Sequence, residues 1–169
     1  IWELCDDLSN IQIVKDSNYT YKDILIKSKE NCVSLDFNIS TQNMRPCFDN
    51  NIIYVNVNNL GTIDASNIKL KINLGPLLKV ISCSANNFSI NGNEMTINID
   101  QIPSGENILI SIVHKLDCKA KLGEPLCITG EVMFTDPCKL HKDSNNVKTT
   151  CAIIRGAFDP NDKTALVNG

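Results

Sequence analysis

From Leu35 onward apolar and polar residues alternate with a period of two rather than 3.6, the spacing of strands with one buried and one wet face. Leu35, Phe37 and Ile39 alternate with Asp36 and Asn38, and Ile53, Val55 and Val57 with Tyr54, Asn56 and Asn58. The cleanest run sets Ile68, Leu70, Ile72 and Leu74 against Asn67, Lys69, Lys71 and Asn73. After a Gly75-Pro76 break, six further apolar stretches follow at 78–82, 88–90, 95–99, 108–112, 126–134 and 147–154. Asn91-Gly92 between two of them suits a tight hairpin, because both residue types tolerate positive φ. Pro103-Ser104-Gly105 breaks the chain again, and no stretch reads as a long amphipathic helix.

About nine short strands, each with one apolar face and separated by turn signals, describe two antiparallel sheets packed face to face. The expected fold is therefore all-β, an immunoglobulin-like antiparallel β-sandwich of about 7–9 strands. Residues 1–33 are less regular: Ile11 and Ile13 suit a strand, 19–28 suits a strand or a short helical turn, and Cys5 and Cys32 bracket the segment. The expected organisation is an N-terminal appendage over 1–33, the sandwich over 34–156, and a polar linker over 157–169 leading to a following domain.

Charge and length narrow the choice of partners. A net charge of −3, with basic residues scattered along 169 positions, gives no footprint for nucleic acid or an anionic lipid surface. No apolar run approaches the roughly 20 residues a membrane-spanning helix needs. Ile1-Trp2-Glu3 has neither a basic nor an apolar leader, so an export signal is expected upstream or already removed.

Eight cysteines, an even number spread singly, point to disulfides in an oxidising compartment. Placed on the expected strands, Cys118 pairs with Cys127 and Cys138 with Cys151, each across neighbouring strands. Cys47 with Cys83 and Cys5 with Cys32 complete the set, although spacing leaves exchange among these last four open. The rival reading is a zinc site of Cys118, Cys127, Cys138 and His141, resting on the CxxH spacing at 138–141, while the other intervals match no zinc ribbon or finger.

Arg45-Pro46-Cys47-Phe48, Asn58-Asn59-Leu60-Gly61-Thr62 and the ending Gly156-Ala157-Phe158-Asp159-Pro160-Asn161-Asp162-Lys163 together resemble repeat modules of large secreted and cell-surface proteins of gliding bacteria, the Bacteroidota that use type IX secretion. The last motif is the most specific, and the resemblance covers residues 45–163. It implies an immunoglobulin-like sandwich, an extracellular setting and a further domain after Lys163, and it implies no catalytic activity. Cys47 stands where those modules usually carry glycine, which implies a tight turn replaced or reinforced by a cross-link.

Candidate chemistry is sparse. Asp159, Asn161 and Asp162 are hard oxygen donors suited to a calcium ion in an inter-domain joint; with six to eight oxygens needed, Asp136, Asp143 or the next domain would have to contribute. The competing reading of the same residues is a turn set by Pro160 and local Asx hydrogen bonds. His114 continues the face of Ile108, Ile110 and Ile112 and reads as a hydrogen-bonded residue at the sandwich rim. No nucleophile elbow, GxGxxG or P-loop is present, so no catalytic residue is assigned. Lys69 and Lys71 fall on the wet face, unsuited to a buried isopeptide bond. That face, with Asn67, Asn73 and Tyr54, is a thin sugar platform in a chain of 5% aromatics. The function read from the sequence is a non-catalytic extracellular spacer or adhesive module, contacting neighbouring domains of its own chain and a protein or glycan ligand; the alternative is a carbohydrate-binding accessory module of a secreted hydrolase.

Overall fold

A computed structural model describes residues 2–4, 24–42, 44–135 and 146–156. Eleven strands are present among them: β1 (Trp2–Leu4), β2 (Ile26–Ser28), β3 (Leu35–Thr41), β4 (Asn51–Asn59), β5 (Ala65–Asn73), β6 (Leu78–Cys83), β7 (Phe88–Asn91), β8 (Glu94–Ile102), β9 (Asn107–Leu116), β10 (Pro125–Met133) and β11 (Val147–Ile153). The nine from β3 onward coincide with the nine alternating stretches of the sequence. They form a five-stranded sheet in the order β11-β10-β5-β8-β7 and a four-stranded sheet in the order β3-β4-β9-β6, with every pairing antiparallel. The immunoglobulin-like β-sandwich is thus the fold of the chain. Outside it, β1 and β2 pair antiparallel, with Lys27 and Glu3 in an ion pair at 3.1 Å. The expected strand at Ile11 and Ile13 lies outside the described residues.

Alternation creates the core. On β4, Ile53, Val55 and Val57 are fully buried, and Leu70, Ile72, Met95 and Ile97 face them from the opposing sheet, giving one cluster of Ile, Val, Leu, Met and Phe side chains. Burying each such side chain contributes roughly 1.5–3 kcal/mol, the main term opposing chain entropy. Gly130 on β10 lets the sheets close: a β-carbon there would strike the Ile39 side chain and lie 3.3 Å from the Phe37 ring. The β7–β8 turn places Gly92 at φ 60°, as the hairpin reading requires. The alternation slips on β6, where the register with β9 shifts between Val80 and Ser82, and again on two paired strands together. Ala65 and Ile68 are both buried on β5, and Ile99 and Ile102 on β8, with Asn67 at φ 53° between them.

At one side of the sandwich β11 and β3 touch across the two sheets. Just below, the segment after β3 crosses between sheets: Met44 makes a parallel bridge with Ile154, and Pro46 with Leu116. Met44, Leu116 and Ile154 are buried and close that end of the core. This crossing carries the features described next.

Candidate functional site

Both ends of β4 are fastened by a buried asparagine on the core-facing register of the strand. At its start, Asn51 Oδ1 accepts from the Arg45 amide at 2.9 Å, and Asn51 Nδ2 donates to the carbonyls of Arg45 at 3.0 Å and Phe48 at 2.9 Å. At its end, Asn59 Nδ2 donates to the carbonyls of Ile63 and Ile102 at 2.9 and 3.0 Å, and Asn59 Oδ1 accepts from the Gly61 amide at 3.0 Å. Each side chain replaces the backbone partners that a turning chain loses. Gly61 sits so close to the backbone of residues 32–34 that a β-carbon would collide with the Cys32 carbonyl and lie 2.7 Å from the Ser34 nitrogen. Thr62 then accepts from the Cys32 amide at 2.9 Å and donates to the Glu30 carbonyl at 2.5 Å. Two of the motifs that carried the family resemblance, 45–48 and 58–62, are therefore loop fasteners. The signal for Asn51 and Asn59 was present in the sequence: both fall on the apolar parity of Ile53, Val55 and Val57, where a polar residue needs internal partners.

The disulfides correct the expected pairing. Cys47 is bonded to Cys118 and Cys127 to Cys151, so neither Cys118–Cys127 nor Cys47–Cys83 forms, and Cys151 is not bonded to Cys138. The physical reason is topology. Cys118 follows β9 and Cys127 lies on β10, consecutive strands that belong to different sheets. Cys47 reaches Cys118 because the Pro46–Leu116 bridge brings their segments together, with the Cys47 amide donating to the Leu116 carbonyl at 2.9 Å. Cys127 and Cys151 stand directly opposite on β10 and β11, Cα atoms 4.0 Å apart. Cys83, half-buried on β6, is a free thiol whose pKa burial raises. Cys32 is disulfide-bonded; Cys5 and Cys138 lie outside the described residues. Cys47 adopts φ 61°, the left-handed conformation that glycine takes at low cost, so the cross-link holds the turn that the resemblance implied. Loops of 71 and 24 residues closed by these bonds remove unfolded-state entropy worth about 4 and about 3 kcal/mol.

The zinc reading fails on the same evidence, since Cys118 and Cys127 are spent in separate disulfides and no cluster of three His, Cys, Asp or Glu is found among the described residues. The proposed calcium donors Asp159, Asn161 and Asp162, with Asp136, Asp143 and His141, lie outside the described residues. His114 is no rim residue. It is fully buried on β9, opposite Asn51 of β4 and Val80 of β6, with neither ring nitrogen reaching a hydrogen-bond partner among the described residues. Burial pushes its pKa down to about 4, opposed only in part by the Lys115 backbone. The thin sugar platform also disperses: Lys69 and Lys71 lie on the five-stranded sheet, Lys71 paired with Glu94 at 3.6 Å, whereas Tyr54 belongs to the other sheet.

What the crossing segment does create is a pair of shallow clefts. One, of 570 Å³, is lined by Thr41, Gln42, Arg45, Phe48, Asn50 and Asn51; the other, of 230 Å³, by Thr41, Gln42, Ala152, Ile153 and Arg155. Phe48 is exposed, with the Arg45 guanidinium 5.8 Å from its ring centre. The arrangement offers planar cations, amides and a ring face to a ligand, and no paired acid and base to transform one.

No protein-family model and no curated protein matches the sequence. Among solved structures, the CARDB domain of a Pyrococcus furiosus protein, crystallised with a pair of metal ions, superposes with a TM-score of 0.52 at 13% identity, over 77% of this chain and 100% of that one. BcpA, the major pilin subunit of Bacillus cereus, gives 0.50 at 10% identity, over 72% of this chain and 39% of the pilin. At such identities these likenesses concern the fold, the immunoglobulin-like β-sandwich already derived from the strand order.

Proposed function

We propose that the chain is a non-catalytic extracellular spacer or adhesive module of a bacterial surface or secreted protein. In this reading the sandwich of 34–156 is flanked by an appendage over 1–33 and a linker over 157–169 to a following domain, where Asp159, Asn161 and Asp162 bind calcium and stiffen the joint. The observation that carries it is the pair of solvent-exposed disulfides. Exposed disulfides persist where no thiol pool reduces them, outside the cytoplasm. The apolar core and open clefts also favour a scaffold that presents surfaces over one that encloses a reaction. The cleft beside Phe48 lends support to the second reading, a carbohydrate-binding accessory module of a secreted hydrolase. Intact mass of the unreduced protein after thiol alkylation, followed by peptide mapping, tests the proposal. Blocked Cys47, Cys118, Cys127 and Cys151 in protein from the native host support it; four free thiols at those positions overturn the compartment and the proposal with it.

A further inference from the structure

Only two of the 16 basic residues are arginines, Arg45 and Arg155, and they stand far apart in the sequence. The fold sets them side by side. Met44 and Ile154 form a parallel bridge with both side chains buried, and the Arg155 amide donates to the Met44 carbonyl at 2.9 Å. Successive side chains of extended backbone point to opposite faces. With Met44 and Ile154 turned into the core, Arg45 and Arg155 both turn outward, into adjoining clefts that share Thr41 and Gln42. All five ion pairs among the described residues use lysine, so neither guanidinium has a carboxylate partner there. The acidic residues of the flanking loops are already engaged, Asp49 by Lys115 at 2.7 Å and Glu124 by Lys121 at 3.5 Å.

Two like charges brought together without a counterion repel each other, and an anion placed between them removes that repulsion. Guanidinium groups are the side chains best shaped for the purpose, since their planar fork grips a carboxylate or sulfate through two hydrogen bonds. The rest of the wall speaks to what carries the anion. Phe48 is exposed, with the Arg45 guanidinium over one side of its ring at 5.8 Å, and the side-chain amides of Gln42 and Asn50 make no hydrogen bond among the described residues. A flat apolar face with free amide donors and acceptors fits a hydroxylated ring. At Arg45 itself a peptide main chain finds no free backbone group, since its amide and carbonyl are both held by Asn51.

We propose that Arg45 and Arg155 form the binding site of an anionic saccharide, their guanidinium groups gripping its carboxylate or sulfate while Phe48, Gln42 and Asn50 contact the sugar ring. This rests on the reading of the chain as a non-catalytic extracellular binding module. Isothermal titration calorimetry on the full chain with its disulfides intact tests it, using tetragalacturonate as the carboxylate probe, a heparin-derived tetrasaccharide as the sulfate probe, and maltotetraose and a hexa-aspartate peptide as controls. The expected result is saturable binding of at least one acidic tetrasaccharide, weakened by salt. At least tenfold should be lost in R45Q and in R155Q, and a clear loss should remain in the charge-preserving R45K/R155K double variant. The tighter of the two acidic probes identifies the anion. Absence of acidic saccharide binding at millimolar concentration, unchanged binding in R45Q/R155Q, or equal binding of hexa-aspartate overturns the site. Each of those results, obtained with the disulfides mapped and intact, leaves the module reading standing; free thiols at Cys47, Cys118, Cys127 and Cys151 overturn that reading whatever the calorimetry shows. Both arginines point away from the core, so unchanged melting temperatures of the variants establish that a loss of binding is a loss of contact.

Discussion

Replacing His114 with leucine removes a fully buried imidazole whose ring nitrogens reach no good hydrogen-bond partner among the described residues. At neutral pH the ring is uncharged in the folded and unfolded chain alike, but only in the unfolded chain does water satisfy its donor and acceptor. Leaving such groups unmet costs roughly 1–3 kcal/mol, so H114L, close to histidine in volume, should be more stable at pH 7 by about 1 kcal/mol after repacking losses. Acid separates the two proteins further. The pKa falls from 6.5 to about 4 on folding, so below pH 6.5 the unfolded chain takes up a proton that the folded chain refuses. Stability therefore declines as pH drops through that window, at about 1.4 kcal/mol per pH unit, or roughly 3 kcal/mol in all. That is a large share of the 5–15 kcal/mol typical of a domain. Urea unfolding of the oxidised wild type and H114L at pH 7.5, 6.0, 5.0 and 4.5 measures it. Groups common to both proteins cancel in the difference, which should widen by roughly 3 kcal/mol toward pH 4. Parallel stability curves at a constant gap would refute the reasoning.

Glycine positions should separate by what surrounds them: Gly61→Ala meets backbone at residues 32–34 and should cost more than 3 kcal/mol, whereas Gly130→Ala meets the flexible tip of Ile39 and should cost about 1–3 kcal/mol by denaturant titration. In a chain lacking the Cys47–Cys118 bond, C47G/C118A should exceed C47A/C118A in stability by about 1 kcal/mol, because φ is 61° at that position. Asn59→Ala should cost roughly 2–4 kcal/mol, leaving the Ile63 and Ile102 carbonyls and the Gly61 amide without their partner; hydrogen exchange at Gly61 should rise accordingly.

Strands were legible because alternation is local. Six of the nine stretches show a fully buried face, β6 and β11 show a half-buried one, and β7 has all four residues exposed; Gly75, Gly92 and Gly105, all at positive φ, mark breaks that the chain needs wherever it is paired. Pairing across the sandwich is not local, and there the reading from sequence failed. Matching Cys118 to Cys127 assumed that consecutive strands are neighbours, whereas β9 and β10 lie in opposite sheets. For His114 the parity was right and the depth was wrong: alternation placed it on the inner face, but only the pairing of β9 with both β4 and β6 shows that the core extends that far. The juxtaposition of Arg45 and Arg155 had no local signature at all, since it depends on one parallel bridge between the two ends of the sandwich sequence.

The Cys127–Cys151 bond has a consequence under load. Tension entering from beyond Gly156 would peel the edge strand β11 away from β10 one ladder pair at a time, the weakest way to open a sheet. Before the pull reaches Cys151, only the Ile154 and Arg155 bonds to Met44 and to residues 123–124 and the ladder pairs of Ile153 and Ala152 with Pro125 and Leu126 can yield. From there force passes covalently into β10, which is also held by β5, so the sheet must be sheared through an interior strand. The 24-residue span behind this bond hides roughly 80 Å of extensible chain, and the 71-residue span behind Cys47–Cys118 hides about 250 Å, at about 3.5 Å per residue. Stretched while oxidised, the domain would be a short, stiff link; reduced, the same chain would lengthen severalfold.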